Sequence, residues 1–487
     1  MIKTTMLWLD YETFGLDTKR DRPAQFAAIR TDEDLNEVGE PQMIYCQVAP
    51  DYLPHPMACL TTGITPRLCN EKGLVEAEFS RVVEKMLSEP GTVGVGYNTI
   101  KYDDEITRFM FWRNLQDPYA REWKNGCGRW DILDVVRATY ALRPQGINWP
   151  LKPDGRPSFK LEDLTKANGL VHEAAHDALS DVRATIGMAR LIKQKQPRLF
   201  DFCFALRQKD RAAREVMTPH AGAQARPFIH VSGSYKAENG CMKILLPLFS
   251  HPTNRNEIIC WDLSQDPMQL ADMDAQSIRQ RLFVRAKDLP EGVTRLGIDS
   301  VSLNKSPMVF SDLRVLSQEQ AARWGIDVQA CLANAEKAQG LPEMSGIWAE
   351  VYHREPMAPL DVDADLYSGF LSNEDRRRLD RLNRLSAQEL ALDRTGFDDQ
   401  RLPEMVFRYR ARNYPHTLSE QEQARWAEFK AARLLKGDGG GLSISSFQLE
   451  AAKAHEFLGE SITAQKKSVL DEISAYASAL QAQLSPA

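Results

Sequence analysis

The feature that most constrains the fold is an apolar run that ends in two acids. Residues 6–9 are apolar and lead directly into Asp10, Tyr11 and Glu12. Successive side chains alternate between the two faces of a strand, so a strand here directs Asp10 and Glu12 to one face and Tyr11 to the other. Two carboxylates about 5–7 Å apart repel each other by roughly 2–4 kcal/mol at an effective dielectric of about 20. Since Mg²⁺ and Mn²⁺ prefer hard oxygen ligands and would relieve this repulsion, the pattern predicts a metal site at the end of a sheet strand.

A single Asp-x-Glu is also typical of a solvated turn, so the metal-site hypothesis depends on further acids along the chain. The first of these is Asp103, which follows a predicted buried strand at 92–97. It begins a helix whose apolar face carries Ile106, Phe109 and Met110. An acid at this position is equally well explained as a helix cap.

A second group lies between His176 and Asp181 and opens another helical pattern. The two residues are five positions apart, which is not the i, i+4 spacing of two ligands on one helical face. The spacing instead predicts His176 in a loop, Asp177 at the N-cap and Asp181 one turn inside the helix. By itself, His176 is more readily interpreted as a polar loop residue than as a catalyst.

Taken in order along the chain, these residues resemble the DEDD exonuclease superfamily in its histidine subclass. The resemblance implies an α/β fold with a ribonuclease H-like exonuclease core. Because Tyr102 precedes Asp103, the family's aromatic-then-Asp pattern selects Asp103 over Asp104. The catalytic residues implied in this way are the four metal-binding acids Asp10, Glu12, Asp103 and Asp181, with His176 as the general base.

The resemblance to bacterial exodeoxyribonuclease I, as a family, extends over nearly the whole chain. The similar segments are Arg22–Arg30, Gly146–Pro150, Gln196–Phe200, His230–Gly233 and Tyr409–Pro415. The family implies 3′-to-5′ hydrolysis of single-stranded DNA to 5′-mononucleotides by two Mg²⁺ ions, or Mn²⁺, in DNA repair and recombination. It also implies a cytoplasmic monomer whose partners are single-stranded DNA and the acidic C-terminal tail of single-stranded DNA-binding protein.

Three domains are expected from the change of pattern along the chain. In the first part, strands at 5–10, 26–31, 42–48 and 92–97 are followed by helices at about 103–115, 130–142, 160–168 and 177–194. A hairpin-like pattern with short helices near 275–287 and 317–338 comes next, and the last part is helical and charged. With the family resemblance, the expected domains are a 3′–5′ exonuclease domain at 1–195, an SH3-like β-containing domain at 196–352 and an α-helical C-terminal domain at 353–487.

Composition excludes several other classes of protein. The eight cysteines form no Cys-x-x-Cys pair, which disfavours a zinc site or a disulfide framework and fits a reducing compartment. Residues 1–9 are too short for a signal peptide or an anchor, so we expect no membrane association. The net charge of −6 argues mildly against a nucleic-acid partner, although acids that a metal neutralises contribute to that total.

Single-strand binding needs aromatic faces for bases and cations for phosphates. Tyr119 and Trp123 lie among charged and turn residues, a poor context for a core, and are predicted to stack on bases. The full set of predicted substrate contacts is Glu12, Arg108, Tyr119, Trp123, Arg137 and Lys160. Lys160 stands where the family is expected to carry arginine, and lysine keeps the charge without the bidentate geometry.

Two other functions remain open from the sequence. An RNA 3′-end-trimming exoribonuclease of the same superfamily would share all five catalytic residues, but such enzymes are little more than the nuclease core. A catalytically idle single-strand DNA-binding protein would be expected to lose at least one acid, and none is lost here.

Overall fold

The structure is a computed structural model, which describes residues 3–170, 177–216, 225–355, 360–459 and 463–484. It divides into two compact units, and each is discontinuous in sequence. The first comprises Met1–Gly128, His172–Arg183 and Ala358–Ala487, and the second comprises Arg129–Val171 and Ala184–Met357.

The four strands predicted in the first part of the chain are present, and three helices between residues 56 and 87, which the pattern did not predict, separate the third strand from the fourth. The strands are β1 Thr5–Thr13, β2 Pro23–Thr31, β3 Gln42–Tyr45, β4 Thr92–Gly96, β5 Gly128–Asp131, β6 Phe228–Val231, β7 Met242–Ser250, β8 Glu257–Asp262, β9 Ile298–Ser302 and β10 Met308–Phe310. The α-helices are α1 Pro56–Thr62, α2 Pro66–Lys72, α3 Glu76–Leu87, α4 Asp103–Arg113, α5 Ile132–Leu142, α6 Leu161–Ala167, α7 Ala178–Lys195, α8 Pro197–Ala205, α9 Lys209–Val216, α10 Ala275–Phe283, α11 Gln318–Trp324, α12 Val328–Lys337, α13 Ser345–Val351, α14 Asn373–Leu382, α15 Ala387–Leu392, α16 Leu402–Asn413, α17 Glu420–Ala431, α18 Ile444–Leu458 and α19 Ala464–Leu484.

The sheet of the first unit is built around β1. Its strand order is β3-β2-β1-β4-β5, with β5 at the point where the chain passes into the second unit. Strand β1 is antiparallel to β2 and parallel to β4. Pairing with β4 ends at Trp8 and Val95, one residue before the end of β4, so residues 10–13 of β1 continue past the carboxyl end of β4. The strand is longer than the predicted 5–10 and carries both acids within it.

One face of this sheet is covered by α3 and α4. Tyr11 of β1 packs there with Phe79 and Val83 of α3 and with Ile106 and Met110 of α4. Burying such large apolar side chains is the main favourable contribution to folding. Because Tyr11 faces this core, its neighbours Asp10 and Glu12 project to the opposite face.

The C-terminal helices share the core of the first unit. Trp112 of α4 packs with Leu379 of α14, and with Leu402 and Tyr409 of α16. A second apolar cluster joins α1 to α18 and α19 through buried side chains that include Leu60, Phe447 and Ile473.

Buried ion pairs connect the same segments, and we call this set the arginine network. Asp363 lies 2.5 Å from the Arg412 guanidinium, which also bonds Asp51 at 2.7 Å. Glu76 pairs with Arg22 at 2.9 Å and with Arg113 at 2.8 Å. Burial alone would raise the pKa of Asp51, but Arg412 and Arg433 hold that pKa well below its usual value. The C-terminal segment therefore supplies the cations that pair with the buried Asp51 of the N-terminal part.

The second unit contains an antiparallel sheet with the order β10-β6-β7-β8-β9. Strands β7 and β8 form the predicted hairpin, and their register shifts between Pro247 and Phe249. Helices α10 to α12 occupy the stretches in which short helices were predicted, and α13 lies beyond them. The mixed α/β fold class is confirmed. No described helix has the length and hydropathy needed to span a membrane.

Candidate active site

Strand β1 presents two carboxylates just beyond the end of its neighbour. Asp10 and Glu12 lie on the same face of β1, past the last residue paired with β4. The chain leaving β4 turns there and enters α4 at Asp103. This edge, beyond the carboxyl end of parallel strands, is where ligands bind in α/β sheets.

Hydrogen bonds attach Asp103 to β1. Its Oδ1 accepts the backbone N–H of Tyr11 at 3.2 Å. The hydroxyl of Thr107, one turn later, donates to the Asp103 carbonyl at 2.8 Å and accepts from the Tyr11 hydroxyl at 3.0 Å. Tyr102 occupies the N-cap position, and Asp103 is the first residue of the helix. The carboxylate of Asp103 therefore holds the strand and does not act as the N-cap, which was the other interpretation of its position.

The adjacent Asp104 points elsewhere. Its Oδ1 lies 2.6 Å from Nη2 of Arg121, and both side chains are buried. The aromatic side chain of Tyr102 is held on the site side, where its hydroxyl is 2.6 Å from Thr13 Oγ1 and donates to the Gly15 carbonyl at 2.8 Å. The structure thus brings Asp103 to the site and gives Asp104 its own cation.

Helix α7 contributes the last acid. The Asp177 carboxylate accepts the N–H of Ser180 at 3.1 Å, and its carbonyl accepts the N–H of Asp181 at 3.0 Å. Asp177 therefore caps the helix as the spacing predicts, and Asp181 lies in its first turn. Carboxylate oxygens of Asp10, Glu12 and Asp181 all lie within 4.8 Å of one another. We call these three acids with Asp103 the acidic cluster.

Burial and the convergence of the acids raise the pKa values of Asp10 and Glu12. Burial, followed by the charges of Asp103, Glu12 and Asp181, holds the pKa of Asp10 well above its usual value. Burial, followed by Asp181, Asp103 and Asp177, raises the pKa of Glu12 to about 8. The sequence predicts Asp177 only as a helix cap, yet its charge contributes to this rise. A divalent cation would replace these protons, because it neutralises the same charges.

The predicted general base, His176, lies outside the described residues.

Two of the predicted aromatic contacts differ in exposure. The Trp123 side chain is 68% exposed, whereas Tyr119 is half-buried. The guanidinium of Arg108 lies over the Tyr119 ring, 5.2 Å from its centroid. Exposure of so large an apolar ring fits the predicted stacking of Trp123 on a base.

Arg108 is more constrained than the sequence suggests. It is 6% exposed, and it bonds Glu122 through Nε at 2.7 Å and through Nη2 at 2.8 Å. Its Nη1 bonds Glu105 at 2.7 Å and the Tyr367 hydroxyl at 3.1 Å. These bonds fix the guanidinium and leave little capacity for a phosphate, so its DNA contact stays a prediction.

The remaining predicted contacts, Arg137 and Lys160, lie in the second unit. Lys160 is exposed and directly precedes α6. Arg137 bonds Asp134 at 2.6 Å, and its guanidinium packs against the backbone of Gly233. A Cβ added at Gly233 would lie 2.5 Å from Arg137 Cζ, so only glycine admits this position of the arginine. Both DNA contacts stay predictions.

The comparisons with known proteins agree with this architecture. Residues 7–189 match the family model described as Exonuclease, residues 207–354 match the Exonuclease I SH3-like domain, and residues 360–480 match the Exonuclease I C-terminal domain. With an acidic cluster on an α/β core, the chain is a hydrolytic nuclease of the exonuclease class.

Curated relatives define the class more closely. The chain is 43% identical over 470 residues to exodeoxyribonuclease I of Haemophilus influenzae, covering 96% of this chain and 97% of the relative. It is 46% identical over 434 residues to exodeoxyribonuclease I of Escherichia coli, covering 88% of this chain and 89% of the relative. The chain belongs to the exodeoxyribonuclease I family.

Solved structures share the whole fold. Exonuclease I from Methylocaldum szegediense is 42% identical with a TM-score of 0.92, covering 98% of this chain and 99% of that one. The zinc-ion-bound E. coli exonuclease I–single-stranded DNA complex is 40% identical with a TM-score of 0.90, at 98% and 100% coverage. An ExoI/SSB-Ct complex is 40% identical with a TM-score of 0.89, at 98% and 99% coverage.

Proposed function

We propose that this chain degrades single-stranded DNA from its 3′ end and releases 5′-mononucleotides. The observation that carries the proposal is the acidic cluster: three carboxylates within 4.8 Å, with a fourth, Asp103, tied to the same strand. Membership of the exodeoxyribonuclease I family supports the substrate, and the polarity follows the family resemblance. DNA repair and recombination are the processes in which such an activity is used.

The acidic cluster fits a hard divalent cation. Its donors are carboxylate oxygens, which suit Mg²⁺ and Mn²⁺, and we propose Mg²⁺ as the resident metal, with Asp10, Glu12, Asp103 and Asp181 as its ligands. In phosphodiester hydrolysis, a pair of such ions stabilises the negative charge that develops on the reacting phosphate.

Individual residues of the site have distinct roles in this proposal. Asp103, attached to the N–H of Tyr11, fixes α4 against β1 and holds the spacing of the acids. In this proposal Glu12 contacts the DNA substrate in addition to binding the metal. His176 would accept the proton of the attacking water, a role that side-chain bases perform with typical contributions of about 10²–10⁴-fold.

Substrate and partner contacts complete the proposal. Trp123 and Tyr119 stack on bases, and Arg137 and Lys160 contact phosphates. Arg108 contacts a phosphate in this proposal by exchanging a bond to Glu105 or Glu122 for it. The relatives whose structures contain single-stranded DNA and SSB-Ct support the same two ligands here, single-stranded DNA and the acidic tail of single-stranded DNA-binding protein.

One degradation assay tests the activity, substrate and polarity together. Single-stranded DNA, duplex DNA and RNA are each labelled at either end and incubated with Mg²⁺ or with chelator. We expect Mg²⁺-dependent loss of single-stranded DNA, with labelled mononucleotide released first from the 3′-labelled strand. Asp10→Asn should abolish release, whereas the control Asp34→Asn at an exposed acid should not. Preferential loss of RNA, or activity in chelator, would contradict the proposal.

A further inference from the structure

The segment His230–Gly233 resembles the family but has no part in the acidic cluster. It runs from strand β6 into the connection that leads to β7. At its end, Gly233 packs against the guanidinium of Arg137 on α5. A Cβ built on Gly233 would lie 2.5 Å from Cζ, 2.6 Å from Nη1 and 2.7 Å from Nη2 of Arg137. These nearly equal distances place the backbone of Gly233 over the flat face of the guanidinium.

The contacts of Arg137 leave one edge of its guanidinium available. Its Nη1 donates to Asp134 at 2.6 Å, and Asp134 is the one hydrogen-bond partner of this side chain within the described ranges. The side chain remains 15% exposed. A guanidinium has five N–H donors, and the edge formed by Nη2 and Nε matches a phosphate in bidentate geometry. Arg137 can therefore bind a phosphate and keep its bond to Asp134.

The turn that carries Gly233 is bonded at both ends. Ser232 donates its N–H to the Cys241 carbonyl at 2.8 Å, and Tyr235 donates its N–H to the Ser232 carbonyl at 3.1 Å. The Tyr235 hydroxyl lies 2.8 Å from Nδ1 of the buried His230. Burial lowers the pKa of His230 to about 4, so the ring is neutral at neutral pH and can accept this hydroxyl. Strand β6 thus fixes the turn through His230.

A second set of contacts fixes Tyr235 to the sheet. The Lys243 ammonium of β7 lies 4.8 Å from the centre of the Tyr235 ring, and it bonds Asp262 at 2.9 Å and Asp299 at 2.8 Å. A cation over an aromatic ring adds to the attraction between the two side chains. Since the turn is bonded on two sides and the guanidinium is the end of a flexible side chain, a group added at Gly233 would move Arg137 and leave the turn in place.

We propose that Gly233 is a positioning residue, which holds the Arg137 guanidinium so that its Nη2 and Nε edge binds a phosphate of the single strand. Gly233 itself contacts neither the DNA nor the metal. The inference rests on the proposed function, in which Arg137 contacts a phosphate. The backbone of Gly233 lies outside the left-handed region that favours glycine, so Arg137 requires the missing side chain and not an unusual φ.

A double-mutant cycle on DNA binding, with the metal chelated, tests this coupling. Because hydrogen bonds to charged groups are strong, Arg137→Gln should weaken binding of a dT12 strand by about 10- to 150-fold. Gly233→Ala should reproduce most of that loss. In the Arg137→Gln background, Gly233→Ala should change the affinity by less than about twofold. Equal losses from Gly233→Ala in the two backgrounds would overturn the inference.

Two readouts distinguish positioning from a general structural role. Both single variants should lower the slope of log affinity against log salt by about 0.7, the value for one phosphate. The Tm of Gly233→Ala should stay within about 2 °C of the wild type, because only the end of a side chain moves. A large loss of Tm with an unchanged slope would show that Gly233 is only structural.

The matched control is Gly346→Ala in the same unit. Apart from its own helix, no atom lies within 4 Å of a Cβ built on Gly346, so the affinity for dT12 and the salt slope should match the wild type. An effect of Gly346→Ala equal to that of Gly233→Ala would overturn the inference, because the loss would then follow from replacing any glycine.

A second variant adds no bulk at position 233. Tyr235→Phe removes the hydroxyl contact with His230 and should weaken dT12 binding by about 2- to 10-fold. This loss should disappear in the Arg137→Gln background, since the turn then has no arginine to hold. If Gly233→Ala does not fold, this pair of variants decides the question, and equal losses in the two backgrounds overturn the inference.

The outcomes separate this inference from the proposed function. A wild-type protein that degrades no single-stranded DNA overturns the proposed function. If the wild type degrades it and Arg137→Gln binds dT12 as the wild type does, the positioning role alone is overturned. If Gly233→Ala loses affinity for a peptide of aspartates and keeps it for dT12, Arg137 serves a protein partner and the inference is wrong.

Discussion

The acidic cluster and the arginine network place buried carboxylates in opposite surroundings within one unit. In the acidic cluster, Glu12 faces other acids and its pKa rises to about 8. In the arginine network, burial alone would raise the pKa of Glu76, but Arg113 and Arg22 lower it below its usual value. Among the described residues, permanent cations therefore surround the carboxylates that hold the structure together, whereas further acids surround those that would bind a dissociable metal. The same residue type serves stability in one region and metal binding in the other, and its neighbours decide which.

The largest effect is expected from breaking the arginine network. Arg412→Ala would leave Asp51 and Asp363 buried without their principal partner, and breaking a buried pair in this way typically costs about 3–5 kcal/mol. We expect urea denaturation to show a loss of unfolding free energy of that order. Arg425→Ala is the control, because Arg425 is 56% exposed and pairs with Glu404 at the surface. Similar losses of unfolding free energy in both variants would show that the buried ion pairs of the arginine network stabilise the protein no more than an exposed pair does.

The pH dependence of the metal-free protein tests the other region. An acid whose pKa is raised by folding stabilises the folded state fully below its unfolded pKa, and that stability is lost as pH rises through the folded pKa. For Glu12, these limits are the ordinary value of 4.5 and the folded value of about 8. In chelator, thermal stability should therefore fall between about pH 5 and pH 8 by an amount on the order of a few kcal/mol.

Mg²⁺ should remove most of this pH dependence by binding only the folded state. Glu12→Gln should flatten the profile in chelator, since it removes the titrating group. If the thermal stability of the wild type in chelator does not change with pH, the acids do not repel one another as their arrangement implies.

Two adjacent residues allow a sharper comparison with a smaller effect. Asp103→Asn removes one charge from the acidic cluster but retains an oxygen that can accept the N–H of Tyr11. We expect the Tm in chelator to rise by about 1–3 °C while activity is impaired. Asp104→Asn should instead lower the Tm, because it weakens the buried pair with Arg121. A lower Tm in both variants would mean that Asp103 is chiefly a structural residue.

The smallest expected effect concerns monovalent salt. Salt screens partly accessible charges more than fully buried ones. Raising NaCl should increase the Tm of the metal-free wild type slightly, by about 1 °C, and the increase should be smaller for Asp103→Asn. Arg425→Ala serves as the control for general salt effects. An equal increase of the Tm in all three proteins would show that screening of the acidic cluster is not the cause.

The placement of the acids could be predicted because it depends on local periodicity. Strand alternation put Asp10 and Glu12 on one face, and helix-capping rules placed Asp177 and Asp181 correctly at the start of α7. The family resemblance supplied the choice of Asp103 over Asp104, which the contacts of those two residues then explained in physical terms.

Features that depend on distant residues could not be predicted in the same way. The Arg108 guanidinium is held by Glu122 and by Tyr367, which is 259 positions away in sequence. Phe370 sits between a glycine and a leucine, and nothing in that local pattern signals an exposed ring. Tertiary contacts of this kind carry no periodic signal along the chain.

The separation of partners in the arginine network has a consequence for synthesis of the protein. Asp51 and Arg412 are 361 positions apart, and their pairing completes a single unit. A ribosome adds about 5–20 residues per second, so Asp51 waits about 20–70 s for its arginine. Until then, the nascent chain holds a carboxylate that it cannot bury at low cost, and the first unit cannot close. A chain released early would thus carry Asp10 and Glu12 without the C-terminal residues that complete the first unit.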